Sequence, residues 1–304
     1  MISERYENYK RTIENNLEQY LPDIPCESKI LKDSMLYSLQ AGGKRLRSVI
    51  LLAAFDLAKK NSCSVIDPMP FAAAAECIQS YSLIHDDLPA MDDDDYRRGK
   101  LTNHKVFGEG IAILAGDGLL SAAFEIMSKE LCAASDDSSD LKAKANAMFI
   151  LAKNTGAGGM VAGQVADIKA ENGNCSKELI NFIHKNKTSA FIEAAVLAGL
   201  YLGKADEEML ENGRIYGENL GLAFQIADDL LDIYGDENTI GKPLHSDEDA
   251  NKSTYPALYG TAESVRIMNE LLDKAVKALE KYGSDAELFK EISDYTKNQI
   301  KACI

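Results

Sequence analysis

Apolar positions along the chain recur every three or four residues and almost nowhere every two, a helical signature. Between residues 3 and 21, Tyr6, Tyr9, Ile13, Leu17 and Leu21 fall on one stripe, predicting a helix that Pro22 and Pro25 end. A second predicted helix starts near Ser28, carries Ile30, Leu31, Met35, Leu36 and Leu39, and stops at Gly42-Gly43. The run Val49 to Phe55 opens a third, and residues 61–70, with Pro68 and Pro70, read as a loop. Phe71 to Ile84 reads as a long apolar helix. Further helices are predicted over 111–131, 141–164, 179–202 and 207–234, then from about Tyr255 with a break near Gly260-Thr261, and over 262–283 and 286–302. Residues 133–140 and 171–176 read as short polar connections. Residues 236–256 read as a long polar loop of the kind that often forms a lid. Neither hairpin dipeptides nor a repeat of about 30–50 residues interrupt this pattern. The predicted class is all-α: one domain over residues 1–304, a single large helical bundle.

Charge narrows the partners. The formal net charge of −15 argues against nucleic acid and against a protein held on anionic membrane by charge alone. An anionic substrate then requires metal ions or local basic residues to reverse the field. The six cysteines are scattered with no zinc spacing, as expected of reduced thiols in a cytoplasmic protein. No uninterrupted apolar run approaches the ~20 residues that span a bilayer, so no membrane span is expected. The charged start, Met1 to Glu7, does not read as a signal peptide, and the cysteine of the final Lys-Ala-Cys-Ile is misplaced for prenylation.

Two acidic stretches supply the candidate chemistry. Six aspartates fall between Asp86 and Asp95, at the end of an apolar helix, and Arg97 and Arg98 follow. Asp86 and Asp92 are six apart, on different faces of an undistorted helix. Pro89 would break that helix and could fold Asp92 back beside Asp86. Far downstream, Asp228 and Asp232 lie four apart on one helix face, with Gln225 three before Asp228. Oxygen-only ligands suit a hard cation such as Mg²⁺. A third feature is Gly42-Gly43-Lys44-Arg45-Leu46-Arg47 at a helix start, a ready phosphate site. Lys44 and Arg47 are expected to share a face, with Arg45 pointing elsewhere.

These motifs resemble, in order, the signatures of the trans-isoprenyl diphosphate synthases. The two aspartate-rich motifs are Asp86-Asp87-Leu88-Pro89-Ala90-Met91-Asp92, followed by Arg97-Arg98-Gly99, and Asp228-Asp229-Leu230-Leu231-Asp232. Gly42 to Arg47, Gly163-Gln164-Val165-Ala166-Asp167, Lys187-Thr188 and Gly241-Lys242 match the others, so the resemblance covers about residues 28–260. It implies an isoprenoid-synthase bundle with a central cavity, in which an allylic diphosphate ionises and isopentenyl diphosphate attacks the cation. It further implies that Asp86, Asp87, Asp92, Asp228 and Asp232 hold about three Mg²⁺ per site, with Mn²⁺ as a substitute. The role of Asp229 stays open. Arg97, Lys187 and Lys242 would contact the allylic diphosphate, and Lys44, Arg47, Arg98 and Gln79 the isopentenyl diphosphate. Thr188, Gln225 and the Lys187 carbonyl would stabilise the cation, and Lys252 would clamp a lid. The family implies a homodimer.

Tyr81, five residues before Asp86, together with the two-residue insertion in the first motif, resembles bacterial-type farnesyl diphosphate synthases. Tyr81 would floor the cavity and set chain length, with the small Ser82 beside it, and the product would be farnesyl diphosphate. The geranylgeranyl and geranyl products are alternatives. A terpene cyclase, a non-catalytic prenyl-diphosphate-binding subunit and a cation-buffering acidic protein are rivals. The second basic set weighs against the first, and two complete aspartate motifs weigh against the second.

Overall fold

The computed structural model describes residues 3–62, 64–133, 138–170, 176–235 and 254–304. The helices are α1 (Glu4–Tyr20), α2 (Lys29–Leu39), α3 (Leu46–Ser62), α4 (Met69–Asp86), α5 (Asn103–Phe107), α6 (Glu109–Cys132), α7 (Ser138–Thr155), α8 (Met160–Ala170), α9 (Lys177–Ile183), α10 (Ala190–Leu202), α11 (Glu207–Tyr234), α12 (Tyr255–Tyr259), α13 (Thr261–Leu279) and α14 (Glu287–Cys303). The all-α expectation holds for the described residues, apart from a two-stranded antiparallel ribbon, β1 (Tyr96–Arg97) and β2 (Lys100–Leu101). The sequence conceals this ribbon because its turn, Arg98-Gly99, is not a usual hairpin dipeptide. Both turn residues take positive φ, 54° and 73°, as a type I′ turn requires.

Helix α10 is apolar on all sides and is buried accordingly, packed against α3, α7 and α11. Four consecutive alanines, Ala72 to Ala75, are buried in α4, which lets α3 and α6 approach it closely. Amphipathic helices such as α1 and α13 close the outside with one buried stripe each: Tyr6, Ile13 and Leu17, and Met268, Leu272, Ala275 and Leu279. Helix α11 starts where Asp206 caps it, its side chain accepting from the Met209 N–H at 2.8 Å. By length and composition alone α6 could cross a membrane, although Asp117 and Glu125 interrupt its apolar run. Here it packs along α4 and α2, and only part of it is covered.

Two predicted helices are interrupted. The stretch 141–164 breaks between α7 and α8 around Gly156 to Gly159. The stretch 179–202 is split by a π-helical turn, His184–Ser189, between α9 and α10.

Arg45 behaves as expected in pointing away from its neighbours. It takes φ 53° before α3, is 5% exposed, and pairs with the buried Glu76 of α4 at 2.8 Å. It also donates to the Leu39 carbonyl at 2.7 Å, and the Ser48 hydroxyl donates to Glu76 at 2.7 Å. Arg45→Met would leave Glu76 buried without its cation. Thermal unfolding should show a loss of about 3–5 kcal/mol, largely recovered when Glu76 is also replaced by an apolar residue of similar size.

Candidate active site

The C-terminal end of α4 makes the first wall. The chain turns at Pro89, and the Asp92 N–H reaches back to the Asp86 carbonyl at 2.9 Å. The expected fold-back is therefore present, and it sets Asp92 alongside Asp86. Three of the other acids are matched by local cations. Asp94 pairs with Arg97 at 3.0 Å and Asp95 with Lys105 at 2.6 Å. Asp87 is buried and accepts from Arg97 Nε. Burial pushes the Asp87 carboxyl up to about 7, and Arg97 opposes the shift. Asp87 lines a small separate cavity with Arg97, Arg98 and Ser80. The resemblance gives Asp87 to the metal and Arg97 to the allylic diphosphate; here the two side chains pair with each other, because a buried carboxylate needs the nearest guanidinium.

A cavity of about 390 Å³ lies between α4, α8, the π-turn and α11. Arg47, Gln79, Tyr81, Ser82, Asp86, Lys187, Thr188, Gln225 and Asp228 all line it, so most of the expected site residues converge. Met160, Val161, Val165 and Ile168 of α8 give it an apolar side. Three of its side chains carry buried polar atoms with no partner among the described residues: Arg47 Nε, Gln79 Oε1, and both Gln164 amide atoms. Such atoms are costly in an empty fold and point to a polar ligand. Arg47 stacks on Phe191, 4.9 Å from the ring centre. Burial pushes its guanidinium down to about 10, with Glu76 opposing and Arg98 adding, so it stays charged at neutral pH.

The π-turn places Lys187 and Thr188. Lys187 pairs with Asp167 of α8 at 2.6 Å, and Thr188 donates to Gln225 Oε1 at 2.6 Å. Gly163 permits this, since a Cβ there would lie 2.2 Å from the Lys187 backbone nitrogen. The Gly163-to-Asp167 motif thus has a physical content that sequence alone left unassigned. One residue allows close approach, Gln164 faces the cavity, and Asp167 holds the lysine.

Other expectations are modified. Lys44 lies outside α3, so it does not share a helix face with Arg47. Its Nζ reaches Gln299 of α14 at 3.4 Å and lies 5.6 Å from the Phe224 and Tyr295 ring centres, beside a small adjoining cavity. Arg98 donates to the Gly42 carbonyl, and a Cβ on Gly43 would fall 2.6 Å from its guanidinium carbon. The glycine pair therefore seats Arg98 near Arg47. Asp232 and Asp229 are buried, at 1% and 3% exposed, whereas Asp228 is exposed on the cavity. Burial also drives His184, in the π-turn beside Asp229, down to about 3, so its imidazole is neutral. Lys242, Lys252 and residues 236–253 of the expected loop fall outside the described residues, whereas Tyr255 and Pro256 at its end begin α12.

The Polyprenyl synthetase family matches residues 28–294. The chain belongs to that family. It is 44% identical over 285 residues to a farnesyl diphosphate synthase of Bacillus subtilis (strain 168), covering 94% of each chain. It is 40% identical to a geranylgeranyl diphosphate synthase of Cyanophora paradoxa, covering 95% of this chain and 94% of that one. A geranyltransferase structure from Helicobacter pylori, complexed with magnesium and isoprenyl diphosphate, superposes with a TM-score of 0.81 at 27% identity and 99% coverage of both chains. As a polyprenyl synthetase, the protein is a prenyltransferase that condenses allylic diphosphates with isopentenyl diphosphate.

The donor set fits Mg²⁺. Asp86 and Asp228 line one cavity from separate helices and offer only oxygens. Among the described residues no group of three acidic, histidine or cysteine side chains is arranged to hold a metal ion by itself, so an ion here would be held by one or two carboxylates and completed by substrate phosphates and water.

Proposed function

We propose that this polyprenyl synthetase makes farnesyl diphosphate, as a cytoplasmic homodimer. Identity to relatives does not choose the product, because synthases of both lengths match comparably. The carrying observation is Tyr81. It is 8% exposed, lines the cavity, and packs edge-on against His85 at 5.8 Å between ring centres. Five helical residues put it about 7.5 Å deeper along α4 than Asp86. A tail growing from the diphosphate end meets this ring. Exposed Ile113 and Leu114 on α6 suit a surface covered by a second copy.

In this reading Asp86, Asp92, Asp228 and Asp232 would hold Mg²⁺, which would supply charge neutralisation for the departing diphosphate. Lys187, kept in place by Asp167, contacts the same diphosphate, joined by Arg97 and Lys242. Arg47 and Arg98, with Gln79 and Lys44, hold isopentenyl diphosphate so that its double bond faces the allylic carbon. The C–O bond breaks with its electron pair leaving on diphosphate. The double bond then supplies the electrons of the new C–C bond, and a proton leaves to the released diphosphate. Thr188 and Gln225 present oxygens to the transient positive charge.

Products from isopentenyl and dimethylallyl diphosphate, separated by chromatography, should be mainly fifteen carbons long. Tyr81→Ala should shift them to twenty carbons or longer with turnover retained. A dominant twenty-carbon product from the parent protein, or an unchanged length in the variant, would defeat this assignment.

A further inference from the structure

Asp229 is the member of the second acidic motif that the metal reading leaves without a role, and its surroundings define one. It follows Asp228 by one residue, which turns its side chain about 100° round α11, away from the cavity and into the bundle. Its Oδ1 accepts from Gln225 Nε2 at 3.1 Å, and its Oδ2 accepts from the Tyr255 backbone N–H at 2.9 Å. Tyr255 is itself held. Its ring stacks between His184 and Tyr259, each 4.9 Å away between centres, and its hydroxyl donates to Asn181.

We propose that Asp229 is a positioning residue that fixes which end of the Gln225 amide faces the cavity. Both Asp229 oxygens accept hydrogen bonds, so the amide nitrogen turns toward it. The amide oxygen is thereby directed to Thr188 and the cavity. Thr188 donates its hydroxyl proton to that oxygen, leaving the hydroxyl lone pairs to face inward as well. Two electron-rich oxygens then confront the reacting carbon. A reversed amide would aim N–H groups at a developing cation, and the same residues would oppose the step they assist. The inference rests on the prenyltransfer reading of this cavity and deepens it.

The decisive comparison uses the parent protein, Asp229→Asn, Gln225→Glu and the double variant. In Asp229→Asn the introduced side chain would keep its oxygen on the Tyr255 N–H and turn its NH₂ toward Gln225, reversing that amide. The expected result is a fall in kcat of about 30-fold, with both KM values and the half-saturating Mg²⁺ concentration within twofold. Gln225→Glu alone sets two carboxylates against each other and should be similarly impaired. In the double variant the introduced carboxylate accepts from the introduced amide and still presents oxygen to Thr188 and the cavity, so kcat should recover at least tenfold over Asp229→Asn. A tenfold rise in half-saturating Mg²⁺ in Asp229→Asn would overturn the proposal in favour of a metal ligand. A lowered thermal midpoint with no recovery in the double variant would overturn it in favour of mere structural support.

A parent protein that fails to consume isopentenyl diphosphate would defeat the reaction reading rather than this one. Amide NMR of metal-free protein with ¹⁵N-labelled glutamine decides the positioning separately. The Gln225 side-chain NH₂ signal, assigned by its absence in Gln225→Glu, should be protected from exchange in the parent and lose that protection in Asp229→Asn. An unchanged signal would overturn the proposal.

Discussion

Asp86→Ala is expected to lower turnover by about 10³-fold or more while leaving the fold intact. Asp86 ends α4, and the bond that seats Asp92 runs to its backbone carbonyl, which alanine keeps. The substitution therefore removes one carboxylate without dismantling the turn. What is lost is charge neutralisation on the departing diphosphate, worth several kcal/mol, and each 1.4 kcal/mol is about tenfold in rate. Turnover measured at saturating substrates over a series of Mg²⁺ concentrations checks this. Asp228→Ala should act alike from the opposite wall, and the double variant should be little worse than either single one, because groups serving one metal cluster would act as a unit. Activity within tenfold of the parent would show that Asp86 does not hold the metal.

The second large effect has opposite signs in stability and activity. Arg47→Met should raise the thermal midpoint and weaken the use of isopentenyl diphosphate. In the folded protein the Arg47 guanidinium is charged, its Nε is buried without a partner among the described residues, and Arg98 lies near enough to repel it. Burial of such a group costs about 1–3 kcal/mol, and methionine fills similar space without that cost. With substrate bound, the same guanidinium would make charge-assisted bonds of about 1.5–3 kcal/mol to a diphosphate. KM for isopentenyl diphosphate should therefore rise by about 10- to 100-fold, with KM for the allylic substrate changed much less. Calorimetry and steady-state kinetics read the two effects independently. A destabilised variant, or an equal change in both KM values, would contradict this role.

Much of the fold is legible because helical periodicity is local. Tyr6, Ile13 and Leu17 announce α1, and the apolar spacing through Glu207 to Tyr234 marks α11 almost to the residue. The ends of the two acidic helices are legible for the same reason, since a carboxylate cluster after an apolar run is visible without neighbours. The fold-back of Asp92 is also foreseeable, because Pro89 cannot continue a helix. The π-turn is not. It depends on α8 pressing against Lys187 through Gly163, a contact between segments some twenty residues apart in sequence.

By itself, then, the sequence determined that the chain is an all-helical bundle carrying two aspartate motifs and a basic set, since each follows from residue type and spacing. Only the tertiary structure divided the aspartates among jobs. Asp86 and Asp228 reach the cavity, Asp87 serves Arg97, and Asp229 turns inward to Gln225 and Tyr255. These residues are alike in charge and adjacent in sequence. What separates them is burial and the partner each meets, and both are properties of packing between distant helices.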